Sequence, residues 1–249
     1  GNDTLNGGGG ADTFTMAATL TYEDDIDGGA GTDIISVTGA QDDINFMNVD
    51  NVETLTMTGT ATTNTLGAYF TASGVSTVNL STNGISTISA AGTTNAVTYV
   101  VRDAAQNEAI TAGQGNDTID VNGTAVLDGS DVINGGAGTD TISVNNSAGA
   151  VTIAPDQDNV TNVESIVVKN ANGGDTAGSE NADAISITMG AVANNSTDDA
   201  DIAMAIDASV ITDTNDIATI SAAAVLDPDN VFTITGGAAG DTLTGAAGA

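Results

Sequence analysis

The aspartates that follow clusters of glycine are the residues in this chain with the clearest chemical potential. Five stretches fit the nine-residue pattern G-G-x-G-x-D-x-U-x, in which U is a large apolar residue. They are residues 7–15, 28–36, 112–120, 135–143 and 236–244. Two copies are imperfect, since Ala112 replaces the first glycine of the third copy, and Ala239 and Gly240 disturb the middle of the last.

This pattern suits a hard cation. Calcium binds about six to eight oxygen atoms, from carboxylates and backbone carbonyls, in flexible geometry. A glycine-rich turn can point its carbonyl groups at an ion because it has no Cβ in the way and can adopt positive φ. The aspartate adds negative charge, and the apolar residue two positions later points into the core of the following strand. The pattern therefore predicts calcium sites made of backbone and carboxylate oxygens.

Incomplete copies of the motif lie nine residues upstream of four of these aspartates, so the nine-residue step is tandem. The predicted metal ligands of all copies are Asp3, Gly8, Gly10, Asp12, Asp24, Gly29, Gly31, Asp33, Glu108, Gly113, Gly115, Asp117, Asp131, Gly136, Gly138, Asp140 and Asp241. Glu108 and Asp241 fit less well, because glutamate has a longer side chain and because Phe232 occupies the position upstream of Asp241. A degenerate copy at residues 178–185 contains Asp183, a poorer candidate.

A longer duplication is superimposed on this step. Asp3 and Glu108 are 105 residues apart, and Asp33 and Asp140 are 107 apart. Residues 51–55 (NVETL) recur as residues 162–166 (NVESI), where Glu53 and Glu164 are expected to mark a repeated strand edge or turn. We therefore divide the chain into a first module at 1–105, a second at 106–229 and the start of a third at 230–249, each longer than one solenoid repeat.

The charge composition excludes several classes of function. The chain has 33 acidic residues, 28 of them aspartate, against two basic ones, for a net charge of −31. Two cations cannot form a surface for nucleic acid or anionic membrane. The absence of Cys and His removes the usual zinc, haem and nucleophile chemistry. Lys169 lies in no catalytic motif, so we expect no enzyme; no apolar run approaches the ~20 residues of a membrane span, so we expect no membrane insertion.

The segments between the glycine motifs alternate apolar residues with Thr, Ser or Asn, which is typical of β-strands. Examples are residues 55–58, 75–80 and 231–234. Helical signal is weak and is best at residues 61–72 and 199–209, which are rich in alanine. The predicted fold class is all-β, a parallel β-roll or β-solenoid with short calcium-binding turns and intervening strands.

The glycine-rich nonapeptides resemble those of the RTX (repeats-in-toxin) proteins, which Gram-negative bacteria export, and the pattern is a known sign of calcium-binding β-helices. The resemblance implies that two nonapeptides form one turn of a parallel β-roll, with calcium between turns on the same side. Corresponding aspartates should then be about 18 residues apart. Here Asp12 and Asp33 are 21 apart and Asp117 and Asp140 are 23 apart, which predicts short, interrupted rolls of about two turns.

The resemblance implies a secreted, extracellular protein of the bacterial cell surface, exported by type I secretion. Three functions remain open: a subunit of a surface-layer (S-layer) lattice, the stalk of a large adhesin, and the non-catalytic RTX region of a secreted exoenzyme or toxin. Unequal copy lengths and richness in Thr, Ala, Gly and Asp favour the lattice. Expected partners are several Ca²⁺ ions, other copies of the chain in a lattice or filament, and a cell-surface glycan. We expect no nucleic-acid partner.

All three functions share one predicted mechanism. In a calcium-poor cytosol the charge of −31 keeps the chain expanded, because like charges repel. Outside the cell, calcium neutralises the turns and folding accompanies binding.

Overall fold

A computed structural model of the chain describes residues 1–16, 20–59, 62–80, 86–101, 108–122, 127, 131–146, 151–153, 160–170, 184–188, 203–209, 217–223 and 231–246. Within these residues lie β-strands β1 to β22, one short α-helix and one 3₁₀ turn. The strand pairings between them are parallel, as in a solenoid whose coils stack on one another. This confirms the predicted parallel β-solenoid.

One face of the solenoid is a sheet of ten parallel strands, each contributed by a successive coil. In order across the sheet they are β2 (Thr13–Thr15), β4 (Ile34–Val37), β6 (Thr54–Met57), β8 (Thr77–Asn79), β10 (Thr98–Val101), β12 (Thr118–Asn122), β14 (Thr141–Asn146), β17 (Ser165–Asn170), β19 (Ala203–Asp207) and β21 (Val231–Thr235). Thr13 pairs with Ile34 and Ile34 with Thr54, so one coil takes 21 residues and the next takes 20.

Three smaller parallel sheets form the remaining faces. The first contains β1 (Thr4–Asn6), β3 (Asp25–Asp27) and β5 (Val49–Asp50). The second contains β16 (Val160–Thr161), β13 (Val132–Asn134), β11 (Ala109–Thr111), β9 (Ser86–Ser89) and β7 (Thr62–Thr65). The third contains β15 (Val151–Ile153), β18 (Ala184–Thr188), β20 (Ile217–Ser221) and β22 (Thr242–Thr244).

The core follows from the alternation of side chains along each strand. A strand points successive side chains to opposite faces, so alternate positions along each strand are buried. In the ten-stranded sheet these residues pair in register from coil to coil: Phe14, Ile35, Leu55, Val78, Tyr99, Ile119, Ile142, Ile166 and Ile206. All are buried, and each such side chain contributes about 1.5–3 kcal/mol to the free energy of folding.

A short helix, α1 (Ala68–Ser73), packs on the 3₁₀ turn Asp43–Phe46 of the preceding coil. The rings of Phe46 and Phe70 meet edge to face, with centroids 5.3 Å apart. Asp43 accepts hydrogen bonds from the backbone N–H groups of Gly67 and Phe70, at 2.8 and 2.9 Å, and so caps the helix from another coil.

The structure confirms the predicted strands at 55–58, 75–80 and 231–234 but corrects both helix predictions. Within 61–72, residues Thr62–Thr65 form β7 and only the end of the segment is helical. Within 199–209, residues Ala203–Asp207 form β19, which pairs with β17 and β21. In both cases hydrogen bonding to a neighbouring strand outweighs the local helix propensity of the alanine residues.

The predicted module boundary at 105/106 lies outside the described residues, and strands on its two sides pair with each other. Thr98 of β10 pairs with Thr118 of β12, and Thr87 of β9 pairs with Ala109 of β11. Two of the sheets therefore continue from the first module into the second. Among the described residues, no helix has the length and apolar character that a bilayer crossing requires.

Candidate metal centre

A row of acidic residues runs along one edge of the ten-stranded sheet, one immediately before each of six strands. We call it the turn column; it consists of Asp12, Asp33, Glu53, Asp117, Asp140 and Glu164. Strand pairing places Ser76 and Val97 at the same position in the two intervening coils. The turn column is thus two runs of three acids, and each run ends in glutamate.

Hydrogen bonds between coils connect the members of each run. The backbone N–H of Asp12 donates to Oδ1 of Asp33 at 2.8 Å, and that of Asp33 donates to Oε2 of Glu53 at 2.7 Å. In the second run Asp117 N–H donates to Oδ1 of Asp140 at 2.7 Å, and Asp140 N–H donates to Glu164 at 2.6 Å. Each carboxylate thus satisfies a main-chain donor of the preceding coil with one of its two oxygens.

The glycines shape the turns that precede these acids. The second and fourth positions of three nonapeptides have positive φ, at Gly8, Gly10, Gly29, Gly31, Gly136 and Gly138. A side chain would strain this backbone, and at Gly31 a Cβ would also lie 1.6 Å from the carbonyl oxygen of Gly10 in the coil before. The left-handed backbone therefore favours glycine at these six positions, and at Gly31 close stacking on the coil before also requires it.

The second carboxylate oxygen is buried in three of these acids. Among the described residues, none donates a hydrogen bond to Oδ2 of Asp12, Asp33 or Asp140, although each of these atoms is inaccessible to solvent. A buried carboxylate oxygen with no donor is energetically costly unless a cation compensates for it. These three atoms are the strongest sign of a metal site in the molecule.

The free oxygens face the first glycine of their own motif. A Cβ at Gly7 would lie 2.7 Å from Oδ2 of Asp12 and 2.5 Å from the carbonyl oxygen of Gly28 in the next coil. The small residue thus keeps open a space lined by a carboxylate oxygen and a carbonyl oxygen. Both are ligands that calcium accepts.

The turn at 112–117, in which Ala112 replaces the first glycine, differs from the others. Gly113 and Gly115 are not among the glycines with positive φ. Oδ2 of Asp117 accepts the backbone N–H of Gly113 at 2.9 Å, while Oδ1 accepts the N–H of Val97 at 2.7 Å. Both oxygens of the Asp117 carboxylate are therefore used by main-chain donors.

A second column lies before the strands of the smaller sheets and contains the upstream acids. Asp3 N–H donates to Oδ1 of Asp24 at 3.0 Å, and Glu108 N–H donates to Oδ1 of Asp131 at 2.9 Å. Oδ2 of Asp24 also accepts the backbone N–H and the hydroxyl of Thr21, at 2.8 and 2.9 Å. Asp24 therefore has three protein donors, and its contacts fit a turn-stabilising role better than that of a ligand.

Asp241 repeats the geometry near the end of the described chain. Its Oδ1 accepts the backbone N–H of Ala218 at 2.9 Å, and its Oδ2 lies 2.4 Å from where a Cβ of Gly236 would be. The disturbed middle of this motif has therefore not prevented the same turn contacts. Asp183, the poorer candidate, lies outside the described residues.

Burial and hydrogen bonding shift the pKa values of several of these acids. Burial, with smaller contributions from the nearby charges of Asp117 and Glu164, raises the pKa of Asp140 to about 6 against the lowering effect of a backbone hydrogen bond. Burial also raises the pKa of Asp117. Burial opposes ionisation of Asp24, but the hydrogen bonds from Asp3 and Thr21 prevail and lower its pKa.

In the part of the chain that the structure describes, no three acidic side chains converge on one point. A cation in the turns would therefore bind one or two carboxylates and complete its shell with backbone carbonyl oxygens. The donor set here, a buried carboxylate oxygen beside the carbonyl of the next coil, fits calcium. All donors are hard oxygens, as expected for a chain without His or Cys.

Two turns that the glycine motif did not predict also contribute to the turn column. Asn51 and Asn162 are the non-glycine residues with positive φ in the described chain, at 53° and 52°. Each is followed by Val and then by the glutamate that ends an acidic run. The signal in the sequence was the recurrence of Asn-Val-Glu in the two halves of the chain.

Comparisons with known proteins point in the same direction. A family profile described as the RTX calcium-binding nonapeptide repeat matches four copies, in residues 1–15, 105–123 and 126–146. No curated protein sequence and no solved structure gives a significant match to the chain. Residues 28–36 lie outside the matched segments, yet Gly29 and Gly31 have the same left-handed backbone as Gly8 and Gly10. The chain therefore carries RTX calcium-binding nonapeptide repeats, and they form turns of a parallel β-solenoid.

Proposed function

We propose that the protein is a structural calcium-binding component of the bacterial cell surface whose folding depends on Ca²⁺, with the turn column as its main binding region. The observation that carries this proposal is the set of three buried Oδ2 atoms, on Asp12, Asp33 and Asp140, that face carbonyl-lined spaces in the turns. Several ions per chain would bind, because the acids recur coil after coil.

The charge of the chain supports coupling between binding and folding. Stacking the coils brings each carboxylate within hydrogen-bonding distance of the backbone N–H of the acid in the preceding turn, as at Asp117, Asp140 and Glu164. With a net charge of −31 and two basic residues in the whole sequence, the chain has little of its own to offset this repulsion. Divalent cations would supply the missing positive charge, and folding would then follow their concentration.

The most favoured biological setting is an S-layer lattice, in which copies of the chain associate and calcium stabilises each subunit. The protein would be secreted by type I export, remain outside the cell and take no part in catalysis. The coils differ in length, with Ser165 pairing with Ala205 after 40 residues where Thr13 pairs with Ile34 after 21. Such irregular coils suit a lattice subunit better than a stalk of identical units. A cell-surface glycan is the further partner that we propose.

The stalk of an RTX adhesin is the second candidate. It is favoured by the duplicated turns at 51–53 and 162–164, which have nearly identical backbone angles at their asparagines. A repeated module of this kind could be multiplied into a long fibre. The third candidate, the non-catalytic RTX region of a secreted exoenzyme or toxin, would use the same calcium turns for folding after export.

Electron microscopy of the producing cells, with and without calcium, separates these settings. A periodic sheet that disappears on chelation supports the lattice, whereas isolated fibres support the adhesin. If the protein is found only in the medium and unassembled, both are wrong and the third candidate is favoured. Purified protein examined in the same buffers controls for assembly that needs other surface components.

A further inference from the structure

The glycine turns are followed, in each half of the chain, by a turn that contains no glycine. In the first half Asn51-Val52-Glu53 stacks on residues 28–33, and in the second Asn162-Val163-Glu164 stacks on residues 135–140. We refer to these as the Asn-Val-Glu turns. Neither lies in a segment that the nonapeptide profile matches.

The Asn-Val-Glu turns present the same chemical groups to the preceding coil as a glycine turn does. A Cβ at Gly28 would lie 2.8 Å from Oδ2 of Asp33 and 2.0 Å from the carbonyl oxygen of Asn51. At Gly7 the corresponding distances are 2.7 Å to Oδ2 of Asp12 and 2.5 Å to the carbonyl oxygen of Gly28. The asparagine carbonyl therefore takes the place that a glycine carbonyl has between two glycine turns.

The second half repeats this arrangement independently. A Cβ at Gly135 would lie 2.6 Å from Oδ2 of Asp140 and 1.9 Å from the carbonyl oxygen of Asn162. In each half the aspartate Oδ2 and the asparagine carbonyl oxygen can be no farther apart than the sum of their two distances to the Cβ position of the glycine. That limit is below about 5 Å, the greatest separation of two calcium ligands that each lie about 2.3–2.6 Å from the ion.

The aspartates at these two positions each have one buried carboxylate oxygen whose charge no protein donor in the described part of the chain compensates. Asp33 and Asp140 are both 0% exposed, and their Oδ2 atoms have no hydrogen-bond partner among the described residues. Their Oδ1 atoms are already used by the backbone of Asp12 and Asp117. Asp117, which faces a glycine turn, has no such free oxygen, because Gly113 donates to it.

The left-handed asparagines explain how a turn without glycine can do this. Asparagine adopts positive φ more readily than other residues with a side chain. Asn51 and Asn162 use this conformation, and their side-chain amides donate to Asp27 Oδ1 and Asn134 Oδ1, each at 2.8 Å. These contacts hold the asparagine carbonyl beside the glycine of the preceding coil. The following glutamate satisfies the backbone N–H of the aspartate and closes the run.

We propose that each Asn-Val-Glu turn completes an additional calcium site, one between Asp33 and Asn51 and one between Asp140 and Asn162. This inference rests on the proposed calcium-binding function and extends it beyond the nonapeptides. The carboxylate Oδ2 and the asparagine carbonyl oxygen are ligands contributed by the protein. Each acidic run would thus bind one more ion, between its last glycine turn and the Asn-Val-Glu turn that follows.

Crystals of the full chain grown with calcium chloride and measured at a wavelength where calcium scatters anomalously test the proposal directly. Anomalous peaks beside Asp33 with Asn51, and beside Asp140 with Asn162, are the expected result. Peaks confined to the spaces between two glycine turns would overturn the inference but leave the proposed function intact. A protein that binds no calcium at all would overturn both.

Binding stoichiometry in solution provides a second test. In equilibrium dialysis with radiolabelled calcium, Asp33→Asn with Asp140→Asn should lower the number of bound ions by one for each changed aspartate. Asparagine keeps the Oδ1 acceptor for the neighbouring backbone but places an amide donor or a neutral oxygen at the site. The control, Asp42→Asn with Asp50→Asn, removes the same charge from exposed positions and should lose no ion. An equal loss, or no loss, in both double variants contradicts the proposal.

Discussion

The backbone N–H of Asp12 donates a hydrogen bond of 2.8 Å to Oδ1 of Asp33, 21 residues later in the chain. This one contact links two coils, uses one carboxylate oxygen and leaves Oδ2 of Asp33 buried without a donor. The same relationship joins Asp117 to Asp140. Main-chain satisfaction and the proposed cation binding are thus two roles of a single side chain, and removing that side chain should affect both.

The first prediction follows from this double role. Asp12→Ala with Asp33→Ala should raise the calcium concentration at the folding midpoint by about tenfold or more. A hydrogen bond to a charged group contributes about 1.5–3 kcal/mol, and 1.4 kcal/mol corresponds to a factor of ten. Calcium titrations followed by circular dichroism measure the midpoint. The exposed pair Asp42→Ala with Asp50→Ala is the charge-matched control. Equal midpoints for the two double variants would count against Asp12 and Asp33 as ligands.

A second prediction concerns the first glycine of the motif. Gly7→Ala should destabilise the calcium-bound protein by about 1–3 kcal/mol and weaken binding, because the new Cβ would lie 2.5 Å from the Gly28 carbonyl oxygen. Gly9→Ala in the same turn meets nothing within 4 Å and should be nearly neutral. Urea denaturation in saturating calcium compares the two. The idea fails if both variants unfold at the same urea concentration.

Third, acid should stabilise the calcium-free protein. Burial raises the pKa of Asp140 to about 6 in the folded state, above its ordinary value of 3.8. The folded state then binds a proton that the unfolded state does not, so the free energy of unfolding should rise as pH falls from above 6 towards 4. Circular dichroism of the protein in chelator at several pH values measures this, as recovery of β-sheet signal when the pH is lowered. Asp140→Asn should weaken the dependence of stability on pH. An unchanged dependence would show that other acids cause the effect.

The fourth prediction tests the left-handed turn. Asn51→Ala should cost about 1–2 kcal/mol of stability, because alanine does not readily adopt a φ of 53°. Asn51→Gly removes the same side chain, including its hydrogen bond to Asp27, but tolerates the backbone angle. The alanine variant should therefore unfold at a lower urea concentration than the glycine variant. If the two variants unfold at the same urea concentration, or the glycine variant unfolds first, the left-handed backbone is not the reason for asparagine at this position.

Much of this architecture could be predicted from local sequence patterns. The glycine positions predicted the left-handed turns at Gly8 and Gly29, and alternation predicted the strands around Leu55 and Phe232. Both signals depend on a few neighbouring residues. The nine-residue step also placed Asp12 and Asp33 in one column, because corresponding positions of successive coils stack.

Other features depend on contacts between distant residues and gave no local signal. The sheet continues through the coils that contain Ser76 and Val97, although neither coil has a calcium motif. Consequently the predicted two-turn, interrupted rolls are parts of a longer continuous solenoid. The segment 203–207 looked helical by composition, but its pairing with Ser165 and its neighbours makes it a strand.

The Asn-Val-Glu turns were visible in the sequence only as a repeat of unknown purpose. Glu53 follows Asp33 by 20 residues, with no glycine before it, so the nonapeptide pattern could not align it with the other acids. The structure supplies the missing link through the hydrogen bond from Asp33 N–H to Glu53.

The claim on which the account depends is that calcium makes this acidic chain compact, and far-ultraviolet circular dichroism at low salt tests it most directly. Chelator should abolish most of the β-sheet signal, and calcium added back in excess should restore it, whereas the same charge concentration of a monovalent salt should not. Superimposable spectra with and without chelator would contradict the account.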